Sequence, residues 1–499
     1  MLLLGIDLGT SSVKVSVVDA QTQQCVESVR YPDEEAQIIS PRPGWAEQSP
    51  DTWWQHVQQA ILKINSTRKF DPRQIAAIGI AYQMHGLVCL DKQKKVLRNS
   101  IIWCDSRAVE IGDKAFKKMG RKRALSRLLN SPGNFTASKL AWVKENEPKI
   151  YSRIGKVMLP GDFISLQFTG DITTTVSALS EGIFWDFKKK RLSQDVMSYF
   201  GFDEDIIPKV QPVFSSHGNL LKQVADRLSL TPGIPVTYKA GDQPNNALSL
   251  NVLEPGEVAA TAGTSGVIYG VSGELTYDPQ SRVNSFAHVN HSADKIRTGV
   301  LLCINGTGIL NNWVKKNTSA NIGYGGMNDA ANKIPIGSSG LRILPFGNGA
   351  ERILKNKTIG AHFHHIDFNV HTQSHLFRAV QEGIACAFRY GLDIMRQNGM
   401  KPKIIRAGKS NMFLSPVFTE AFVNTTGVPV ELYNCDGSIG AALGAGIGLQ
   451  IYKEPRAAFR NMKALQLVKP EKAMQKEYEK VYSEWKKLLQ RQTEENGGA

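Results

Sequence analysis

The chain has 499 residues, 42% of them hydrophobic and 21% charged. That length and balance exclude a disulfide-stapled miniprotein, a fibre and a wholly disordered chain, and leave room for roughly two to four ordinary domains. With 60 basic against 45 acidic residues the net charge is +15, but the basic residues lie in short scattered clusters such as Lys117, Lys118 and Arg121 to Arg123, with no zinc-finger spacing and no aromatic RNA-binding strand, so they read as solvated surface that steers small anions, without a specific nucleic-acid partner.

The chain opens as strand, tight turn, strand. Leu2 to Asp7 is apolar, Leu8 to Ser12 is a turn, and Val13 to Asp19 alternates in the period-two pattern of a half-buried strand. A third strand is expected over Cys25 to Tyr31, and Ser49-Pro50-Asp51 opens a helix carrying Trp53, Trp54, Val57, Ala60 and Ile61. The apolar runs Ile75 to Ala81 and Asn99 to Ile102 read as strands that exit into polar loops, Gln83-Met84-His85-Gly86 and Trp103-Cys104-Asp105-Ser106-Arg107. A further strand over Ile234 to Tyr238 precedes Ala240-Gly241-Asp242-Gln243. Gly437 to Gly446 starts a closely packed helix, and beyond about residue 455 the apolar residues Tyr478, Val481, Tyr482, Trp485 and Leu488 keep helical spacing.

One internal similarity organises the rest. Leu8 to Val18 reads LGTSSVKVSVV and Ala262 to Ser272 reads AGTSGVIYGVS, with Gly, Thr, Ser and two Val coinciding at a constant offset of about half the chain. A duplicated α/β unit would give that offset. The division is expected between Asp242 and Gly256.

Each Gly-Thr-Ser turn presents backbone N–H groups and two hydroxyls to one point, which suits phosphate oxygens. Gly9, Thr10 and Ser11 form the first grip, Gly263 and Thr264 the second, and Asp7 adds a carboxylate able to hold Mg²⁺. There is no GxxxxGK[ST] loop, so ATP use here is not of the P-loop kind. Asp242, at a strand end, reads either as a base that deprotonates an alcohol or as a turn or helix-cap residue. The polar loops after Ala81 and Ile102 read either as the donors, acceptors and aromatic face that a polyol site needs or as loop residues that satisfy one another. His362, His364, His365, His371 and His375 read as surface histidines rather than a metal centre. The six cysteines form no CxxC pair and read as free thiols. No signal peptide and no 18-residue apolar run are visible, so the expected location is the cytoplasm, away from membranes.

The ordered set GIDLGTSSVKV (5–15), PGWAEQSPDTWW (43–54), GIAYQMHGLV (79–88), IIWCDSR (101–107), AGDQPNNA (240–247), ATAGTSG (260–266), PFGNGAER (345–352) and RAVQEGIACAF (378–388) resembles the FGGY family of carbohydrate kinases over nearly the whole chain. The resemblance implies an α/β fold of two actin-like ATPase (ribonuclease H-like) domains with an interdomain cleft, residues 1–248 holding the sugar and 249–499 the adenosine. It implies ATP and Mg²⁺, Asp242 as catalytic base, Asp7 at the metal, and Thr10 and Thr264 on the phosphates, with Gly308, Asn312, Gly408 and Asn411 beside the nucleotide. Met84 and His85 match the ketopentose-contacting pair of the branch that converts D-xylulose to D-xylulose 5-phosphate; Trp103, Asp105 and Arg107 match the loop beside the sugar. The alternatives are another polyol, such as L-ribulose, glycerol or gluconate, or a non-enzymatic actin-like ATP switch. A homodimer is an allowed assembly. The stretch Arg406 to Ser415 departs from the family's glycine-rich adenosine loop, and Glu351-Arg352 lacks the usual Thr-Pro after it.

Overall fold

The computed structural model describes residues 1–319 and 321–495. The first half contains β1 (Leu2–Leu8), β2 (Val13–Asp19), β3 (Cys25–Tyr31), α1 (Pro50–Ser66), β4 (Ile75–Tyr82), α2 (Thr136–Asn146), β5 (Val236–Gly241) and α3 (Asp242–Ser249). The second contains β6 (Glu257–Ala262), β7 (Gly266–Ser272), β8 (Asn284–Ala287), β9 (Thr298–Ile304), α4 (Gly308–Thr318), α5 (Gln373–Gln397), β10 (Ile404–Gly408), β11 (Val430–Tyr433), α6 (Gly437–Gly448), β12 (Gln466–Val468) and α7 (Lys472–Glu495).

Strand order in the first sheet is β5-β4-β1-β2-β3, with β1 to β3 an antiparallel meander and β4 and β5 parallel to β1. The second sheet runs β8-β9-β7-β6-β10-β11-β12, and its inner strands β9-β7-β6-β10-β11 repeat the order and directions of the first. The two hairpins are therefore equivalent elements of two similar sheets, as the sequence repeat predicts.

The period-two pattern of β1 places its residues on two different layers. Leu2, Leu4, Ile6 and Leu8 join one core with Trp53, Val57 and Ile61 of α1. Leu3, Gly5 and Asp7 face α6 instead: a Cβ on Gly5 would lie 1.8 Å from Ser438 O, and one on Gly437 would lie 2.4 Å from Asp7 Oδ2. Although α6 belongs to the second half of the sequence, it covers the first sheet. Its glycines allow backbone-to-sheet contact, and Thr237 Oγ1 donates to Ala445 O at 2.8 Å across that interface. Close packing is thus what the Gly/Ala pattern of α6 serves, and Asp7 stands at the helix's first residue.

Two expected strands differ in extent. Asn99 to Ile102 reduces to Ser100–Ile101, which pairs with the two-residue strand Glu47–Gln48 and meets Leu87 in an isolated bridge at Ile101. The run expected to end at Tyr238 begins at Val236 and continues to Gly241. It passes through a buried lysine that breaks the apolar pattern: Lys239 Nζ is neutralised by Asp162 Oδ1 at 2.7 Å. Among the described residues no helix is long and apolar enough to cross a membrane.

Candidate active site

Register, not sequence proximity, assembles the first-half wall. Leu8 pairs with Tyr82 and Tyr82 with Gly241, so β1, β4 and β5 end side by side. The residues that follow, Gly9-Thr10, Gln83-Met84-His85 and Asp242, therefore emerge together at the carboxyl edge of three parallel strands, where open α/β sheets hold ligands. The second sheet presents Gly263-Thr264 after β6, and Asn411 after β10 approaches it: a Cβ on Gly263 would lie 3.7 Å from Asn411 Nδ2.

The two Gly-Thr-Ser turns face one cavity of about 570 Å³, lined by Asp7, Gly9, Thr10, Ser11, Ser12, Lys14, Trp103, Thr264, Ser265, Asn305 and Asn348. The first turn is closed by the Gly9 N–H donating to Ser12 O at 3.1 Å. The second is buttressed by α4, whose first two N–H groups, Gly308 and Ile309, each donate at 3.0 Å, to Gly263 O and Thr264 O. Asn312, one turn along α4, accepts from Tyr324 Oη at 3.2 Å. Gly408 closes β10 beside this turn.

Asp7 and Asp242 form the negative pole of the cleft. Burial and then the neighbouring Asp436 push the Asp7 carboxyl up to about 6, with Lys14 opposing. Burial and then Asp7 push Asp242 up to about 7, partly offset by hydrogen bonds from Gln243. The Asp7 side chain accepts no hydrogen bond from any described residue, and no set of three or more His, Cys, Asp or Glu side chains converges on a metal point among the described residues. One unpartnered carboxylate, with a second close by, suits Mg²⁺, which keeps several waters and takes one or two carboxylates plus substrate phosphates. Lys14 Nζ bonds Asp436 Oδ2 at 2.9 Å and so ties β2 to the start of α6 across the two halves.

On the other side of the first turn, a hydrogen-bond chain fixes Thr10. Trp103 Nε1 donates to Thr10 Oγ1 at 2.9 Å, Thr10 Oγ1 donates to Gln83 Oε1 at 3.1 Å, and Gln83 Nε2 donates to Gln48 Oε1 at 3.0 Å. Trp103 is 53% exposed, an aromatic face open to the cleft. His85 is held differently. Its Nδ1–H donates to Glu181 O at 3.1 Å, which leaves Nε2 as an acceptor. Burial first, then the Lys139 and Arg352 charges, bring the ring down to about 3, so it is neutral. Its backbone has φ +62°, a left-handed conformation that costs a side-chain-bearing residue roughly 1–2 kcal/mol. Phe286 of β8 reaches across from the second half to lie 5.3 Å from the His85 ring. Met84 is buried against Gly241, where a Cβ would lie 2.6 Å from Met84 Cγ.

Asp105 and Arg107 require a correction. The sequence reading places both against the sugar, but Asp105 is fully buried, and its carboxylate accepts from Arg107 Nη2 at 2.7 Å and from the Ala46 N–H at 2.6 Å. Arg107 also bonds Glu47 at 2.7 Å and lies 3.8 Å over the Trp45 ring. The pair's hydrogen-bonding capacity is engaged internally, and its effect is to fix the loop that carries Trp103. Residue types alone do not distinguish a polar pair facing a ligand from one facing itself.

The sequence reading passes over Lys14, Asn305 and Asn348 on the cavity wall and Glu181 behind His85. Lys14 was legible in principle, as a cation on the turn-proximal end of a strand beside Asp7. Glu181 was not: it lies in a short helix, Val176–Glu181, and only tertiary packing brings it to His85. Its carboxyl is 2% exposed, and burial, then the Asp242 and Asp162 charges, push it well above the usual range. The five histidines fall on or near the hairpin Arg342–Phe346/Gly360–His364, where His362 and His364 stack at 5.7 Å.

Comparison with known proteins agrees with this geometry. The N-terminal domain pattern of the FGGY family of carbohydrate kinases matches residues 2–249. The chain is 31% identical to a xylulose kinase of Bacillus subtilis (strain 168) over 407 residues, 80% of this chain and 78% of that protein. It is 29% identical to a xylulose kinase of Escherichia coli (strain K12) over 458 residues, 91% of this chain and 90% of that one. In fold it superposes on the crystal structure of xylulose kinase from Rhodospirillum rubrum with a TM-score of 0.90, at 24% identity and 100% coverage of both chains.

Proposed function

The chain belongs to the FGGY family of carbohydrate kinases, and from that premise we propose that it transfers the γ-phosphoryl group of ATP to the 5-hydroxyl of D-xylulose, giving ADP and D-xylulose 5-phosphate. One observation carries the reading: two Gly-Thr-Ser turns from equivalent hairpins face each other across a single cavity that also holds the Asp7 carboxylate and the Trp103 face.

The sugar lies against Met84, the Nε2 acceptor of His85 and the Trp103 ring. Asp242 accepts the proton of the attacking hydroxyl; its raised affinity for a proton suits a base working near neutrality. The N–H groups and hydroxyls of Gly9, Thr10 and Ser11 hold phosphate oxygens from one side, and Gly263 and Thr264 from the other. Gly308, Asn312, Gly408 and Asn411 line the nucleoside side. Asp105 and Arg107 position Trp103 rather than touch the sugar. Asp7 would hold Mg²⁺, which when bound would supply positive charge to offset the charge that develops on the phosphate oxygens. Positioning and electrostatics supply most of the rate in such a transfer. We place the division between the halves at residues 248 and 249, inside α3, and infer a cytoplasmic enzyme that needs neither nucleic acid nor membrane and that is compatible with a homodimer.

The test is ADP release with Mg²⁺-ATP over D-xylulose, L-xylulose, L- and D-ribulose, glycerol, gluconate and a no-sugar control. Selective turnover of D-xylulose supports the proposal. Selective turnover of another polyol keeps the kinase and replaces the substrate.

A further inference from the structure

Lys139 has no part in the chemistry above, yet its placement is among the most costly in the first half. It lies on α2, is fully buried, and burial pulls its ammonium down to about 7, with Asp105 the largest opposing influence. A buried cation is tolerated only where its donors are used. Lys139 Nζ donates to His85 O at 2.9 Å and to Ile102 O at 2.8 Å. Those carbonyls belong to two separate loops. One carries Met84 and His85; the other leads directly into Trp103.

The same two segments are joined at their far ends by the Leu87 N–H, which donates to Ile101 O at 3.1 Å, and through Thr10 by the Trp103–Gln83 chain; Lys139 is the side chain that bridges them at His85 itself. His85, whose backbone is left-handed, is gripped at both ends, by Lys139 at the carbonyl and by Glu181 O at the ring. The helix α2 is itself anchored, since the Ala137 N–H donates to Gly182 O at 3.0 Å, one residue from Glu181. A single ammonium thus ties the His85 backbone to the carbonyl just before Trp103.

We propose that Lys139 is a positioning residue for sugar recognition: it locks the His85 loop to the Trp103 loop, so that its loss weakens sugar binding while the nucleotide side stays intact. The proposal rests on the sugar-kinase reading above. An apolar side chain of similar length leaves His85 O without its donor inside the protein and Ile102 O with only the Asp105 N–H at 3.2 Å, which loosens the tie between the loops.

The experiment uses full-length wild type, Lys139→Met, Lys139→Gln and Lys139→Arg. It measures kcat and KM for D-xylulose and for ATP, sugar-independent ATP hydrolysis, and the melting temperature. Wild type must first show sugar-dependent turnover; if it shows none with any sugar, the kinase reading fails and the proposal with it. Given that turnover, Lys139→Met is expected to raise the sugar KM roughly tenfold or more, with the ATP KM and the sugar-free hydrolysis within about twofold of wild type. Lys139→Arg, which still donates to two carbonyls, is expected to recover more sugar affinity than Lys139→Gln. If Lys139→Met melts below the assay temperature, the order Arg above Gln decides. Equal sugar affinity in all variants, a parallel loss for sugar and ATP, or failure of every variant to fold makes Lys139 a purely structural residue and overturns the proposal.

Discussion

Trp103 donates its indole N–H to Thr10 Oγ1 at 2.9 Å, so the aromatic face of the sugar side and the first phosphate turn share one hydroxyl. Thr10 passes the same interaction on to Gln83, which follows β4. The proposed sugar and phosphate subsites therefore share one hydrogen-bond chain within the first half.

Trp103→Phe removes only the indole donor and keeps an aromatic face. It is expected to lower kcat/KM for the sugar by about tenfold, the size of one well-placed hydrogen bond. Thr10→Val breaks the same link from the other side. Steady-state kinetics of the two single variants and the double variant should give a loss clearly smaller than the sum of the two singles. Fully additive losses would mean that the hydrogen bond carries no coupling.

Gly437 is the point where the second half presses on Asp7, the carboxylate proposed to hold Mg²⁺. A methyl group there would lie 2.4 Å from Asp7 Oδ2. Gly437→Ala should displace that carboxylate without adding or removing charge. The Mg²⁺ concentration for half-maximal activity is expected to rise by roughly tenfold, a change typical of disturbing the support of a metal ligand. An unchanged Mg²⁺ titration would remove Asp7 from the metal site.

The carboxyl pair also sets a pH dependence. Asp7 is raised to about 6 and Asp242 to about 7, chiefly by burial and with Asp7 adding to the shift of Asp242. As the proposed base, Asp242 would work deprotonated, so kcat/KM measured with both substrates below saturation should rise with pH across about 6 to 7 and then level off. Stability runs the opposite way. Both carboxyls hold protons in the folded state that the unfolded chain has already released above pH ~4, so the pair's contribution to stability is greatest below that value and falls as pH rises through about 7. Asp242→Asn removes the buried charge. It should therefore melt higher than wild type at pH 8, by roughly 2 °C or more, and close to wild type at pH 4. A lower melting temperature at pH 8 would contradict the raised state of Asp242.

Much of this architecture was legible in the residues. The repeated Gly-Thr-Ser turn and its half-chain offset point to two equivalent hairpins, because strand alternation and turn chemistry are local properties. The helix of Gly437 to Gly448 is equally plain as a close-packing element. What it packs against is not: nothing local says that it crosses to the first sheet and meets Asp7. Lys239 hides the end of β5, since its buried charge is neutralised by Asp162, far away in sequence. Asp105 and Arg107 look like ligand-facing polar groups, and only their shared burial shows that they satisfy each other. Lys139 and Glu181 escape for the same reason, because a charged residue in a helical stretch reads as surface until its neighbours are known.

The most direct measurement is sugar-dependent ADP release by wild type and Asp242→Asn, assayed side by side with D-xylulose and Mg²⁺-ATP, with ATP binding measured on both. Strong sugar-dependent turnover by wild type and a loss of about 10²-fold or more in the variant are expected, with ATP affinity retained. A variant that keeps near-full turnover, or a wild type whose ADP release no sugar stimulates, would contradict the proposed mechanism.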